Sequence, residues 1–385
     1  MKYQLITTSE QLRNVCAMAA SHAAIALDTE FVRTRTLTPR LGLLQLYDGE
    51  QLVLIDPIQI SDMQPFITLM ENPDVVKVLH SCSEDLETFL NAFSTVPTPV
   101  FDTQFAAALL NIGPSLGYAR LVEILSGVVL DKGESRTDWL ARPLSEKQLH
   151  YAANDVLYLL PVYETINKQI TELGKLGWVF DEMNTLVAKK AASMPPEYAY
   201  LLIKNNWRLN TEQLTVLQHL AAWRLGMARE KDLAINFVLK ESIMYEIAMR
   251  LPDNRNSLSH VTGMIGPTMR RFGEVILEIV NKAREEFRDL PAEKRVPSPS
   301  RLVDFPGYKK NLALLKQAAD DIARNQNVPV EVIASKKQLN QVLKWYWFDI
   351  DETRVQGLLP DLLTGWRAPL FASYLDKILG PVEKS

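Results

Sequence analysis

The hydrophobic pattern of this 385-residue chain changes at Pro195-Pro196, and that change limits the fold more than any other feature of the sequence. Before it, short apolar runs alternate with segments of helical period, whereas after it apolar residues recur every three or four positions almost throughout. A second proline-rich break interrupts the helical part. The pattern predicts an α/β domain with a mixed sheet and flanking helices, followed by two all-α helical bundles. The expected units are a domain at 1–190, a linker at 191–206, a bundle at 207–290, a linker at 291–300 and a bundle at 301–385.

Five short apolar runs in the first domain have the length of strands. Those at 42–47 and 51–55 flank Asp48-Gly49-Glu50, which predicts an antiparallel hairpin. Helices are expected from Ser83 and from Thr103, and one long helix from Ser145 to about Leu173. The five predicted strands lie at 23–28, 42–47, 51–55, 75–79 and 99–102.

The two helical bundles resemble each other at an offset of 95 residues. Ala228-Arg229 matches Ala323-Arg324, and Val238 falls on Ile333. Identities are few, but apolar residues fall at corresponding places in both segments. The periodicity therefore predicts two divergent copies of one helical unit of about 80 residues.

Charge divides the chain in the same way as hydrophobicity. Residues 1–190 carry 15 basic and 23 acidic side chains, a net charge of −8, whereas residues 191–385 carry 27 and 23, a net charge of +4. An acidic half could hold metal ions and a mildly basic half a polyanion, although solvated surface charge explains the difference equally well. Two cysteines, no bilayer-length apolar run and no secretory signal at the start lead us to expect a cytoplasmic protein without membrane contact.

Two acids at the end of the first long apolar run suggest metal chemistry. Asp28 and Glu30 stand at i and i+2, so on an extended backbone both carboxylates project from one face. Two neighbouring like charges repel each other and need a cation. The alternative is that the strand ends at Leu27 and both acids are solvated.

Three further residues favour the metal interpretation. Asp85 begins a predicted helix, where capping alone would also explain it. Tyr151 and Asp155 are four residues apart on a predicted core helix and share one face. Four such acids could bind two divalent ions, and oxygen ligands suit Mg²⁺ or Mn²⁺. Two metals support in-line hydrolysis at phosphorus without an organic cofactor, with Tyr151 beside the attacking water.

The acidic residues stand in three segments that resemble the motifs of the DEDDy 3′-to-5′ exonucleases. Residues 41–46 and 135–144 resemble bacterial ribonuclease D in particular, and the two helical copies are similar to its tandem HRDC domains. The resemblance therefore covers nearly the whole chain. The three motif segments are residues 28–33, 77–85 and 151–155.

The resemblance implies a ribonuclease H-like catalytic domain that trims the 3′ ends of RNA, chiefly of transfer RNA precursors, and releases 5′-mononucleotides. Asp28, Glu30 and Asp155 would bind the metal that activates water. Asp28 would also bridge to a second metal, which Asp85 would hold directly or through water. Tyr151 would position the nucleophile.

Residues next to the motifs are candidates for substrate contacts. Phe31 could wedge against the terminal base, His80 could reach the scissile phosphate, and arginines could grip RNA phosphates. Each also has an ordinary structural explanation as a core aromatic, a buried histidine or a solvated charge. The candidates are Phe31, Arg33, Arg35, His80 and Arg136.

Two other functions fit the same residues. A DNA exonuclease would use the same carboxylates and differ in its response to the 2′-hydroxyl. A non-catalytic RNA-binding module built on an inactive nuclease is the second alternative, and the complete set of five motif residues argues against it. The sequence gives no oligomeric state.

Overall fold

The N-terminal half is built around one six-stranded mixed sheet. The structure is a computed structural model that describes residues 2–130, 133 and 137–380. The strand order is β1-β4-β3-β2-β5-β6, and β3 runs antiparallel to both β2 and β4 whereas the other neighbours are parallel. The strands are β1 (Gln4–Ile6), β2 (Ala24–Val32), β3 (Arg40–Tyr47), β4 (Leu52–Ile55), β5 (Val76–Leu79) and β6 (Val100–Asp102).

Helices cover both faces of this sheet, as the sequence predicted. One face packs on α1, α2 and α3, and the other packs on α6 through Leu149, Ala152 and Val156. The helices of this half are α1 (Ser9–Ala19), α2 (Gln64–Glu71), α3 (Ser83–Phe93), α4 (Thr103–Leu109), α5 (Tyr118–Ser126), α6 (Glu146–Leu157), α7 (Leu159–Glu172) and α8 (Leu176–Ala191).

The predicted hairpin between β3 and β4 is confirmed. The Asp48 carboxylate accepts hydrogen bonds from the backbone N–H groups of Glu50 and Gln51, at 2.9 and 2.6 Å, and so stabilises the turn. Strand β1 was not predicted. It has three residues, two of them exposed, and so short an edge strand shows no measurable alternation.

The expectation of one long helix from Ser145 to Leu173 is wrong. The start is as predicted, because Ser145 and Gln148 form a capping box, but the chain breaks at Tyr158 and begins again as α7. Pro161 explains the break, since it has no N–H to donate to the Leu157 carbonyl and its ring would clash with that group.

The C-terminal half is helical among the described residues, and its helices repeat at the predicted offset. Helix α15 corresponds to α10 at both ends after a shift of 95 residues, and α16 begins where α11 does. The helices are α9 (Thr211–Glu230), α10 (Ile235–Val238), α11 (Glu241–Arg250), α12 (Arg255–Ser259), α13 (Gly266–Asp289), α14 (Tyr308–Gln326), α15 (Val330–Ile333), α16 (Lys336–Trp347), α17 (Glu352–Val355) and α18 (Arg367–Leu379).

The segment predicted as the first linker is partly folded. A 3₁₀ helix, Pro196–Leu202, packs Ala199 and Tyr200 into the core of the first bundle. Further 3₁₀ helices lie at Asn206–Arg208, Ala292–Lys294, Leu302–Asp304 and Asp361–Leu363. The domain limits themselves stay predictions.

The two bundles contact the α/β half differently. The second bundle shares one apolar core with it, in which Trp178 stacks on Trp366 with ring centroids 4.4 Å apart. The first bundle contacts the loop after β2, where Asp232 accepts hydrogen bonds from the backbone N–H and the hydroxyl of Thr38 at 3.0 and 2.8 Å. No helix within the described ranges is both long and apolar enough to cross a membrane.

Candidate active site

Three carboxylates predicted from the sequence lie close together where α6 packs on β2. Asp28 and Glu30 project from the same face of β2, and Asp155 faces them from the last turns of α6. One oxygen from each of the three carboxylates lies within 4.8 Å of the others. Residues distant in sequence thus form a compact cluster of oxygen donors.

Asp85 approaches the same strand but is not part of that cluster of three. It is buried in the first turn of α3, and its Oδ1 accepts a hydrogen bond of 2.5 Å from the Thr29 hydroxyl. Among the neighbouring acids, Asp85 nevertheless has the largest effect on Asp28. The Thr29 contact could not be predicted from the sequence, because a threonine between two acids on a strand is ordinary.

Burial and mutual repulsion raise the pKa values of these carboxyl groups. Burial raises the pKa of Glu30 to about 9, with Asp155 and Asp85 adding to the shift. Burial raises the pKa of Asp155 to about 7, although the adjacent Tyr151 hydroxyl opposes the shift by stabilising the carboxylate. The pKa of Asp28 is also well above its ordinary value because it is desolvated beside three other acids.

The cluster has the composition of a site for a divalent cation. Within the described part of the chain, none of the four carboxylates forms a salt bridge with a lysine, arginine or histidine. Buried acids without a cationic partner are costly unless an ion compensates their charge. Carboxylate oxygens are the ligands that Mg²⁺ and Mn²⁺ prefer. The donor set therefore fits such an ion.

Tyr151 lies one helical turn before Asp155 on α6 and is half-buried beside the cluster. Burial raises its pKa, and the negative charges of Asp155, Glu30 and Asp28 raise it further. The phenol therefore stays protonated at neutral pH, so its hydroxyl can donate a hydrogen bond.

Two of the three arginines predicted to contact substrate, Arg33 and Arg35, make their described contacts outside the carboxylate cluster. Arg33 donates to the Leu37 carbonyl at 2.7 Å and pairs with Glu87 at 2.8 Å. Arg35 is exposed, and its backbone carbonyl accepts a hydrogen bond from Ala234 of the first bundle. Arg136 falls outside the described residues. Contacts of these arginines with RNA stay predictions.

His80 and Phe31 are the two remaining candidates for substrate contacts. The His80 ring nitrogens lie 2.9 Å from the Thr103 hydroxyl and 2.9 Å from the Leu116 carbonyl. A phosphate contact by His80 would therefore have to replace one of these bonds, and it stays a prediction. Phe31 is half-buried just after the β-bulge that follows Glu30.

Tyr118 is a site neighbour that sequence reasoning missed. Its hydroxyl donates to the Asn154 carbonyl at 2.9 Å, and its ring lies 5.7 Å from that of His80. Burial raises the pKa of Tyr118, and the charges of Asp155 and Asp28 raise it further. A tyrosine at the start of α5 has no distinguishing pattern, so only the folded chain reveals its position.

Comparison with known proteins finds relatives that match this chain over nearly its whole length. The 3′-5′ exonuclease family matches residues 3–171, the HRDC domain family matches 213–280, and the C-terminal HRDC domain family of ribonuclease D matches 306–375. Ribonuclease D of Serratia proteamaculans is 47% identical over 380 residues, which cover 98% of this chain and 99% of the relative. The chain belongs to the ribonuclease D family.

Other members of the ribonuclease D family support the assignment. Ribonuclease D of Escherichia coli K12 is 44% identical over 98% of this chain and 99% of its own. The crystal structure of Escherichia coli RNase D, an exoribonuclease involved in structured RNA processing, matches with a TM-score of 0.92 and 43% identity, again over 98% and 99%.

Three predictions from the sequence are thereby confirmed. The family is ribonuclease D, the fold is a mixed sheet with flanking helices followed by two HRDC bundles, and the protein is a 3′-5′ exoribonuclease, a hydrolase. Exonucleases of this family use divalent metals, with which the carboxylate cluster agrees. The roles of the individual site residues stay predictions.

Proposed function

We propose that this ribonuclease D-family protein removes nucleotides from the 3′ ends of structured RNAs, chiefly transfer RNA precursors, and releases 5′-mononucleotides in the cytoplasm. Two lines of support underlie the proposal. The Escherichia coli relative processes structured RNA, and this chain is similar to it over nearly its full length. The main support is the cluster of Asp28, Glu30 and Asp155. Its carboxylates are hard oxygen ligands, and among the described residues no lysine, arginine or histidine pairs with them.

We assign the metal ligands by position. Asp28, Glu30 and Asp155 would hold one divalent cation, and Asp28 with Asp85 would hold a second. Two such cations supply an activated water and stabilise the charge that develops at phosphorus. The Thr29 hydroxyl fixes Asp85 by a hydrogen bond and so sets the direction in which its other oxygen points.

Tyr151 acts in this proposal as a hydrogen-bond donor rather than as a base. In the metal-free protein, burial and the neighbouring acids raise its pKa, so the phenol is protonated there and can donate a hydrogen bond. The hydroxyl can orient the attacking water or a phosphate oxygen. It also stabilises the ionised form of Asp155, which is the form that binds a cation.

Substitution of Asp28 by Asn tests the proposal. Asp28→Asn removes a charge from the centre of the cluster with little change of shape. We expect mononucleotide release from a 3′-extended transfer RNA precursor to fall by at least about 10²-fold, as is common when a group that stabilises transition-state charge is removed. Thermal unfolding should show that the variant is folded, and gel-shift titration should show largely retained RNA binding.

A matched control makes the same chemical change away from the site. Asp74 is exposed in the turn before β5, and Asp74→Asn should retain full activity. Normal turnover by a folded Asp28→Asn variant would refute the site. RNA and DNA oligonucleotides of the same 3′ sequence should be compared in parallel, since the proposal requires slower release from DNA.

A further inference from the structure

Gln45 is a fully buried polar side chain in the middle of an apolar strand. Its exposed fraction is 0%, and it lies on β3 between Leu44 and Leu46, both also fully buried. Leu44 and Leu46 face the core formed with α1, α2 and α3. Since side chains alternate along a strand, Gln45 faces the opposite side, on which α6 lies.

Neither polar atom of the Gln45 amide has a hydrogen-bond partner among the described residues. Leaving a buried amide unpaired is destabilising, whereas an apolar side chain of similar size would fill the same space without that penalty. The apolar core around β3 therefore gives no stability reason for a glutamine at this position.

The register of the sheet places Gln45 directly opposite Asp28. The two residues are paired across the antiparallel strands β3 and β2, so their side chains lie on the same face of the sheet. Directly opposed residues have Cβ atoms about 4.5–5.5 Å apart, which is within the reach of a glutamine side chain. On its other side Gln45 is paired with Leu54, which is buried and apolar. Asp28 is therefore the polar cross-strand neighbour available to the amide.

We infer that Gln45 is a positioning residue for the carboxylate cluster. Its side-chain N–H donates a hydrogen bond to Asp28 when that carboxylate is ionised and binds a cation. The bond fixes the orientation of Asp28 and leaves its second oxygen for the cation. Such outer partners change metal affinity by about 10–100-fold. The inference rests on the proposed function, because it assumes that Asp28 binds the metal.

The test uses Gln45→Met in the full chain, because methionine keeps the length of the side chain and removes the amide. Mn²⁺ binding is measured without RNA, from the free Mn²⁺ signal in electron paramagnetic resonance. We expect affinity about 10–100-fold weaker than in the wild type. In urea unfolding with chelator present, the variant should be as stable as the wild type or more so.

Leu54→Met is the matched control on the adjacent strand. It alters packing next to Gln45 at the same depth but keeps the Gln45 amide, so it should lower stability and leave Mn²⁺ affinity unchanged. Wild-type affinity in Gln45→Met would overturn the inference. A wild-type protein that binds no Mn²⁺ more tightly than Asp28→Asn does would instead overturn the proposed function.

A measurement on the wild type covers the case in which Gln45→Met does not fold. In crystals grown with Mn²⁺, the Gln45 amide nitrogen should lie about 2.7–3.2 Å from an Asp28 oxygen, the range of an N–H···O hydrogen bond. A separation beyond about 4 Å with manganese bound would overturn the inference and leave the metal site intact.

Discussion

Asp28, Glu30 and Asp155 are held so close together that their ionised forms are unfavourable without a bound cation. Their oxygens lie within 4.8 Å of one another, and each pKa is raised above its ordinary value by burial. In the metal-free protein these groups therefore keep protons that the unfolded chain has already released. A bound cation would reverse this preference, because it favours the ionised form of each ligand.

The pH dependence of stability follows from these raised values. The stabilising effect of the retained protons is fully present below about pH 4, where the unfolded chain also holds them, and is lost as the pH rises through about 7 for Asp155 and about 9 for Glu30. We expect Asp155→Asn to gain stability relative to the wild type as the pH rises from about 5 to about 7 in chelator, and the difference to level off above that range. Thermal unfolding across that range measures the difference.

Asp74→Asn is the control for this prediction, since it changes one exposed acid in the same way. Because Asp74 lies outside the carboxylate cluster, this variant should not show the gain in stability expected of Asp155→Asn. An Asp155→Asn curve that runs parallel to the wild-type curve over the same range would contradict the raised pKa of Asp155.

Strand β3 is the element on which the cluster depends, because it pairs with β2 in the sheet and packs against α6 on the sheet face. Gly42 permits close packing at its start: a Cβ there would lie 2.5 Å from the Trp139 carbonyl oxygen. Because that oxygen belongs to the backbone, it cannot move aside independently. We expect Gly42→Ala to destabilise the protein by about 1–3 kcal/mol in urea unfolding, as overpacking does.

Gly226→Ala is the control for the Gly42 prediction. Gly226 is exposed in α9, and a Cβ there would meet nothing within 4 Å. Alanine in a helix interior is favoured over glycine by about 1 kcal/mol, so this variant should be slightly stabilised. Equal effects of the two substitutions would show that Trp139 does not pack on β3 as described.

Elements with a strong local pattern could be predicted from the sequence, and those determined by one residue or by tertiary contacts could not. The β3–β4 hairpin and the repeat of α10 at α15 followed from turn residues and periodicity. The break at Tyr158 was missed because apolar spacing continues through it, although Pro161 forbids a continuous helix. Strand β1 exists through its parallel pairing with β4, which no local pattern reveals.

In the candidate site, too, local patterns could be predicted from the sequence and tertiary contacts could not. The i, i+2 spacing of Asp28 and Glu30 and the i, i+4 spacing of Tyr151 and Asp155 follow from strand and helix geometry. The prediction that the two pairs lie together in space came from the family resemblance. The positions of Thr29, Tyr118 and Gln45 depend on sheet register and on loops, so neither spacing nor composition indicates them.

At the scale of the whole molecule, the second HRDC bundle is joined to the catalytic domain by a continuous core. Phe101 and Ile166 lie in the same buried cluster as Leu315 and Phe371. Trp366 stacks on Trp178 and donates its ring N–H to Glu182 at 2.9 Å, and Arg367 also pairs with Glu182. Shared burial of this kind predicts that the two parts unfold together.

Trp366→Ala tests that coupling. Loss of a buried tryptophan costs about 3–5 kcal/mol. We expect a single urea-unfolding transition by circular dichroism, with its midpoint at a lower urea concentration than in the wild type. Trp207→Ala is the control, because Trp207 is 38% exposed and its ring contacts the guanidinium groups of Arg301 and Arg208, each contact worth about 0.5–1 kcal/mol. Two separate transitions, or equal midpoints for the two variants, would contradict a shared core.

The proposed hydrolysis depends on the binding of divalent cations by carboxylates from β2 and α6. Anomalous diffraction from crystals of the full chain soaked in Mn²⁺ tests this most directly. The predicted result is a manganese peak about 2.0–2.6 Å from oxygens of Asp28, Glu30 and Asp155, the distance range of hard cations bound by oxygen ligands. Crystals that keep their carboxylate cluster in full manganese and show no anomalous peak there would contradict it.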